Sequence, residues 1–192
     1  MNYNWILDSN LAVYTPKHFC YIKIDMEQNL TVIVLVGTPC SGKSTWIKKN
    51  MNKIIMKHQC QVDVISRDAI RLQYFSPDGT YVFNPLNEKN VTEIFNDKLK
   101  QSAEKSKAVI ILDNTHVKRS YIEAYFRYFE SLINQGKAKI YIKVFDEPYW
   151  KLCLRNIRRK ISEKKWIPFK ALKKMYNDFQ SLNLIGYESY DG

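Results

Sequence analysis

The stretch Thr31-Val-Ile-Val-Leu-Val-Gly-Thr-Pro-Cys-Ser-Gly-Lys-Ser44 decides the fold of this chain. It begins with a continuous run of apolar, mostly β-branched residues, which is typical of a strand buried on both faces of a parallel sheet. Gly37 and Gly42 follow, and a helical pattern then runs over residues 42–57. A glycine-rich turn between a strand and a helix points backbone N–H groups at the space above the helix N-terminus. The stretch therefore predicts a strand, an anion-binding loop and a helix.

Strand and helix patterns alternate along the rest of the chain. Apolar runs predict further strands over residues 62–65, 108–112 and 139–145, and helical patterns cover residues 88–106 and 118–135 and follow Ser66, Pro148 and Pro168. This alternation predicts an α/β fold, in which a parallel sheet of about four to five strands is flanked by helices. Ligands collect at the carboxyl ends of such strands, where Gly37, Ser66 and Asp113 stand.

Length and composition indicate a single domain. The chain has 192 residues, of which 45% are hydrophobic, and this is enough to bury a core of its own. We assign residues 30–192 to this domain and residues 1–29 to an N-terminal extension, to which we assign no chemistry. Within the extension, residues 19–25 alternate well enough to predict an added edge strand or half of a hairpin.

The charge balance of the chain favours a polyanionic partner. Thirty Lys and Arg residues stand against 19 Asp and Glu residues, for a net charge of +11. Such an excess suits nucleic acid or a phosphorylated substrate. The sequence contains no apolar run near the ~20 residues of a membrane-spanning helix and no signal sequence. We therefore expect an intracellular protein, cytoplasmic or, in a eukaryotic host, nuclear, with no membrane partner.

The glycine loop matches the pattern G-x-x-x-x-G-K-[ST], the phosphate loop of nucleotide-binding proteins. We expect Lys43 to reach the β and γ phosphates of a nucleoside triphosphate and the hydroxyl of Ser44 to ligate Mg²⁺. The residues predicted to bind the nucleotide in this loop are Gly37, Thr38, Pro39, Cys40, Ser41, Gly42, Lys43, Ser44 and Thr45.

Two classes of phosphate-loop protein compete at this point: those that hydrolyse the nucleotide and kinases that transfer its phosphate. The sequence has no Asp followed by Gly three residues later and no Asn-Lys-x-Asp, so the signatures of switch GTPases are absent from it. A small kinase is therefore the leading interpretation.

Four motifs resemble one kinase family in order and spacing. Besides the loop they are Ser66-Arg-Asp-Ala-Ile-Arg71, Asp113-Asn-Thr115, and Val144-Phe-Asp-Glu-Pro148 with Arg155-Asn156 and Arg158-Arg159. Together they resemble the kinase domain of phage-type polynucleotide 5′-hydroxyl kinases, over residues 31–187. The resemblance implies transfer of the γ-phosphate of ATP to the 5′-hydroxyl end of DNA or RNA. It also implies Mg²⁺ and a partnership with a separate ligase or phosphatase.

The resemblance implies a role for several of these residues. Asp68 matches the general base, Arg71 the arginine that grips the phosphate of the acceptor strand, and Arg159 the lid arginine that stabilises the transferred phosphoryl group. Asp68 and Arg71 are three residues apart, so an ordinary surface ion pair is the alternative for them.

The third motif and the lid supply the remaining candidates. Asp113 is expected to serve the metal with Ser44, or otherwise only to cap the next turn. Asp113, Asn114 and Thr115 are also expected at the substrate. Arg155 and Arg158 are expected at the nucleotide, with a solvated basic face as the alternative. Trp166 or Ile167 would pack on the terminal base of the acceptor, unless Trp166 packs in the core.

Some positions depart from the family pattern. Ala69 stands where the phage enzyme has a second Asp, and the lid loop between Arg155 and Pro168 differs in length. The phosphatase domain of the phage protein has no counterpart here, so we expect no phosphatase activity. Two alternatives remain open: a kinase of a small-molecule hydroxyl acceptor, and a nucleic-acid-binding adaptor with a vestigial phosphate loop.

Overall fold

The computed structural model describes residues 29–76, 83–162 and 165–191. Within these ranges the strands are β1 (Asn29–Val36), β2 (Gln61–Ile65), β3 (Lys107–Leu112) and β4 (Ala138–Val144). The helices are α1 (Lys43–His58), α2 (Arg67–Phe75), α3 (Glu88–Ala103), α4 (Arg119–Asn134), α5 (Tyr149–Ser162) and α6 (Phe169–Gln180), and a short 3₁₀ turn at Pro85–Asn87 precedes α3. The strand predicted over residues 19–25 lies outside the described residues.

The described part of the chain forms one four-stranded parallel sheet in the order β2-β3-β1-β4. Leu112 near the end of β3 pairs with Val34 of β1 on one side and with Ile65 of β2 on the other. The carboxyl ends of these three strands therefore meet at one edge of the sheet. The predicted α/β class, with a phosphate-loop kinase fold, is confirmed, and the described residues supply four strands of the four to five expected.

Helices cover both faces of the sheet because β1 is apolar on both of its sides. Its residues from Val32 to Val36 are fully buried. Val32, Val34 and Val36 belong to a cluster with side chains of α3 and α4, whereas Ile33 and Leu35 belong to a second cluster with side chains of α1. Successive strand residues point to opposite faces, so a continuous apolar run serves two cores.

Helix ends follow their predicted caps in most places. The Ser66 hydroxyl accepts a hydrogen bond from the Ala69 N–H at 3.4 Å and so caps α2, and Gly136 (φ +71°) stands just after α4, as predicted. The predicted end of α3 at residue 106 is wrong, because the helix stops at Ala103. Beyond it Lys105 reaches across to Asp63 on β2 and forms an ion pair of 2.5 Å. Within the described ranges, no helix is long and apolar enough to cross a bilayer.

Candidate active site

The glycine loop folds tightly between β1 and α1. Gly37 has φ +154°, and a Cβ at this position would stand 2.8 Å from the carbonyl oxygen of Phe145. Gly42 (φ +101°) and Cys40 (φ +65°) also adopt left-handed backbone, which is costly for a side chain such as that of Cys40. The loop therefore closes into a cradle above the N-terminus of α1, a geometry suited to phosphate. Among the other predicted loop residues, Thr38 and Ser41 are buried, Pro39 is half-buried, and Ser44 and Thr45 are exposed.

The side chain of Lys43 lies inside this cradle. Only 7% of the residue is exposed, and its Nζ donates hydrogen bonds to the carbonyl oxygens of Gly37 and Thr38 at 2.9 and 2.7 Å. Burial lowers the pKa of Lys43 to about 8, and the carboxylates of Asp113 and Asp68 oppose that shift. Both carboxylates are thus close enough to act on the ammonium group, which stays mostly charged at neutral pH.

Ser44 and Asp113 form an oxygen-rich pair at the mouth of the loop. The Ser44 hydroxyl donates to Asp113 Oδ2 at 2.8 Å, joining the start of α1 to the end of β3. Burial raises the pKa of Asp113, whereas the hydrogen bond from Ser44 and the charge of Lys43 lower it. A hydroxyl and a carboxylate are the hard oxygen ligands that Mg²⁺ prefers, so these residues fit that ion.

Asn114 connects the end of β3 to the start of α2. Its Oδ1 accepts a hydrogen bond of 2.8 Å from the backbone N–H of Arg67, the residue before Asp68. This bond fixes where α2 begins and hence where the Asp68 side chain is presented. Thr115 follows Asn114 and is half-buried. Asn114 therefore has a structural role, in addition to the substrate contact predicted for it.

His116 ties the sheet to α4 beneath the site. Its Nδ1 donates to the carbonyl oxygen of Leu35 at 2.8 Å, and its Nε2 lies 3.1 Å from the hydroxyl of Tyr125. A carbonyl can only accept, so the neutral ring carries its proton on Nδ1 and accepts from Tyr125 on Nε2. Burial lowers the pKa of His116 to about 4, which keeps the ring neutral.

Asp68 lies among charged groups from three elements. Arg71, one turn later on α2, donates to Asp68 Oδ1 at 2.7 Å, and Lys165, between α5 and α6, donates to Oδ2 at 2.5 Å. Arg71 also makes a two-pronged contact with Glu88 at the start of α3, at 2.7 and 2.8 Å. These bonds lower the pKa of Glu88. The ion pair considered as the alternative for Asp68 and Arg71 is present, but within a larger network.

Helix α5 brings two of its predicted arginines to the loop. Arg155 donates to the carbonyl oxygen of Cys40 at 3.0 Å, and Arg159, one turn later, donates to Cys40 Sγ at 3.2 Å. Arg155 is also held by Glu147 at 2.9 Å. Arg158 is exposed, because a neighbouring residue on a helix points about 100° away from Arg159.

The segment after α5 is held by a buried amide. Asn156 is fully buried, and its side chain donates to the carbonyl oxygen of Ile167 and accepts from the Ile167 N–H, at 2.7 and 3.1 Å. Trp166 is 43% exposed and does not pack in the core. Its ring meets Phe169 edge-on, with 6.2 Å between centroids, and Lys160 Nζ lies 5.2 Å from it. The indole is therefore available at the surface beside Lys165.

The chain matches a known protein family over most of its length. The family AAA_33, described as an AAA domain, matches residues 32–182. The match includes every motif of the site described above and most of the chain. The chain belongs to the AAA_33 family.

Solved structures support the same fold for this AAA_33 domain. The chain is similar to a protein of the Pnkp1/Rnl/Hen1 RNA repair complex, with 26% identity, a TM-score of 0.62 and 82% of this chain covered. It spans 46% of that protein, or a little under half of its length. It is also similar in fold to Kti12 of Chaetomium thermophilum in complex with ADP-AlF3, with 16% identity and a TM-score of 0.57, covering 82% of this chain and 80% of that one.

Sequence reasoning missed three contributors to the site: Glu88, Lys165 in its contact with Asp68, and His116. Glu88 is the first residue of α3, where an acidic residue is common because it interacts well with the helix dipole. Nothing in the nearby sequence therefore indicates that Glu88 pairs with Arg71. His116 follows Asp113-Asn-Thr115 directly, and that position was the only clue to it. The catalytic and binding roles of the predicted residues stay predictions.

Proposed function

We propose that this domain is an ATP-dependent kinase that transfers the γ-phosphate to the 5′-hydroxyl end of DNA or RNA. One observation carries the proposal: Asp68 follows β2 at the edge of the sheet where the cradle follows β1, and Arg155 and Arg159 contact the cradle at Cys40. A candidate base, a candidate phosphate-holding loop and two cations of α5 thus lie at the carboxyl edge of the sheet. In-line phosphoryl transfer needs little more than these groups.

In the proposed reaction Asp68 takes the proton of the 5′-hydroxyl as its oxygen attacks the γ-phosphorus. The bond between that phosphorus and the oxygen that bridges to the β-phosphate breaks, and the electron pair leaves with ADP. The proton remains on Asp68 until solvent removes it. A carboxylate can do this when it comes within hydrogen-bond reach of the hydroxyl.

Cations of the chain stabilise the charge that moves during this step. Lys43 shifts from the carbonyl oxygens of the loop to the phosphate oxygens, which also keep it protonated. Arg155 and Arg159 turn from Cys40 to the phosphates, and Arg159 balances charge on the transferred group. Ser44 and Asp113 would hold a magnesium ion, whose chemistry there would be to neutralise phosphate charge.

Four observations support a nucleic-acid acceptor. The chain carries a net charge of +11, and Arg71 and Lys165 flank Asp68. The exposed Trp166 beside Lys165 offers a face on which a terminal base can stack, with Ile167 next to it. A structurally similar protein belongs to an RNA repair complex, which also supports a partnership with a separate ligase or phosphatase.

The deciding experiment is transfer of radiolabelled γ-phosphate from ATP to a 5′-hydroxyl oligonucleotide, with DNA and RNA in parallel. We expect labelling of at least one strand, and a loss of about 10² to 10⁴ in kcat for Asp68→Asn, the range of a general base. Asp97→Asn, an exposed carboxylate on α3, is the matched control and should keep full activity. If ATP binds and neither strand is labelled, the polynucleotide acceptor is wrong, and small hydroxyl acceptors become the next candidates.

A further inference from the structure

Four charged side chains run in alternating order across the proposed acceptor side. They are Lys165, Asp68, Arg71 and Glu88, and we call them the charge chain. The two oxygens of Asp68 are engaged by different cations, since Oδ1 accepts from Arg71 and Oδ2 accepts from Lys165. Each hydrogen bond from a cation draws charge from the carboxylate, so Asp68 becomes a better proton acceptor when one of its oxygens is released.

The surroundings of the two cations decide which oxygen is released. Arg71 makes two hydrogen bonds to the Glu88 carboxylate, and its guanidinium group lies 5.4 Å from the centre of the Phe83 ring. Moving the Arg71 side chain would break both of its hydrogen bonds to the Glu88 carboxylate. Lys165 reaches Asp68 from another element at the end of a flexible four-carbon chain, and its backbone is tied to α5 by a bond to Arg159. Oδ2 is therefore the oxygen that opens.

We infer that Lys165 is a specificity-determining residue that caps Asp68 until an acceptor carrying its own phosphate draws the ammonium group away. The inference rests on the proposed function. A phosphodiester next to the reacting nucleoside offers Lys165 a second anion, so the lysine can leave Asp68 without losing its charge partner. A hydroxyl compound without a phosphate cannot make this exchange.

The cap also protects ATP. If Oδ2 were open without an acceptor, Asp68 could take a proton from water as the water oxygen attacked the γ-phosphorus. The products would be ADP and inorganic phosphate, and the nucleotide would be spent with no strand phosphorylated. Lys165 on Oδ2 suppresses this hydrolysis, because its positive charge and its hydrogen bond make that oxygen a poorer proton acceptor.

The test is Lys165→Met, assayed in the full chain in two ways. ATP hydrolysis without oligonucleotide should rise about tenfold, and the KM for a 5′-hydroxyl oligonucleotide should rise by a similar factor, the scale of one charge-assisted hydrogen bond. The KM for ATP should not change. Lys165→Arg should restore both values toward wild type, whereas Lys170→Met, an exposed cation on α6, should alter neither.

The double variant Asp68→Asn with Lys165→Met shows whether the added hydrolysis passes through Asp68, in which case it should return to the level of Asp68→Asn alone. Unchanged hydrolysis, unchanged acceptor KM, or hydrolysis that survives in the double variant would each overturn the inference. If the wild type labels neither strand, the proposed function fails separately. The hydrolysis assay then decides alone whether Lys165 caps Asp68.

Discussion

The two halves of the site are built in different ways. On the nucleotide side, consecutive residues of one loop form the cradle, and Lys43 is buried in it and held by backbone carbonyls. On the acceptor side, Asp68 is half-exposed, and its carboxylate is held by side chains, those of Arg71 on its own helix and of Lys165 between α5 and α6. Backbone contacts within a short loop leave little freedom, whereas long charged side chains can exchange partners. We therefore expect the loop backbone of the nucleotide side to be rigid and the side chains of the acceptor side to exchange partners when substrate binds.

The largest effect that we expect is on stability and concerns His116, which links β1 to α4 below the site. Its folded pKa of about 4 lies below the unfolded value of 6.5, so the folded state binds fewer protons between those values. The contribution of the neutral His116 to the free energy of unfolding should be fully present above pH 6.5. The free energy of unfolding should then fall by about 3 kcal/mol as the pH drops to 4. Urea unfolding at several pH values measures this.

The matched variant for that measurement is His116→Gln, which keeps a side-chain donor and loses the titration. The difference in unfolding free energy between the two proteins should shrink as the pH is lowered from 7 to 4. Equal slopes for the two proteins over this range would mean that His116 is not the group responsible. Comparing the slopes also separates His116 from the carboxylates, which titrate in both proteins.

The next effect tests the rigidity of the nucleotide side. In Gly37→Ala a Cβ would meet the Phe145 carbonyl at 2.8 Å, so the loop has to shift. We expect a loss of about 1 to 3 kcal/mol in stability and weaker protection by ATP in a thermal melt. Gly186→Ala is the control, because Gly186 has φ +94° and nothing lies within 4 Å of the added Cβ. This variant should lose only the stability that a left-handed backbone costs an alanine. Equal ATP protection in both variants would contradict a rigid cradle.

The smallest effect tests the independence of the acceptor side. Glu88→Gln removes the charge that holds Arg71 in its fork, and the KM for the oligonucleotide should rise about threefold to tenfold, the scale of a weakened charged hydrogen bond. The KM for ATP should stay the same, because Glu88 touches no residue of the loop described here. A steady-state measurement with each substrate varied in turn decides this. A rise in the ATP KM as well would show that the two halves are coupled.

The nucleotide half could be predicted closely from the sequence. A buried strand, two glycines and Lys43-Ser44 are consecutive, so their geometry follows from local backbone physics. The contact between Ser44 and Asp113 was also predictable, because both positions follow from the order of parallel strands. The end of α3 was not predictable in this way, and just beyond it Lys105 pairs with Asp63, a residue far away in the chain.

The acceptor half shows what only the tertiary structure decided. The sequence by itself determined the α/β class, the cradle, Asp68 at the end of a strand and arginines along α5. It did not determine that Glu88 forks Arg71, that Lys165 reaches Asp68, or that Arg159 rather than Arg158 meets Cys40. Cradle geometry comes from backbone dihedrals and hydrogen bonds within a few residues. Which charged side chains meet depends on how whole helices pack against each other. A local sequence motif contains no information about that packing.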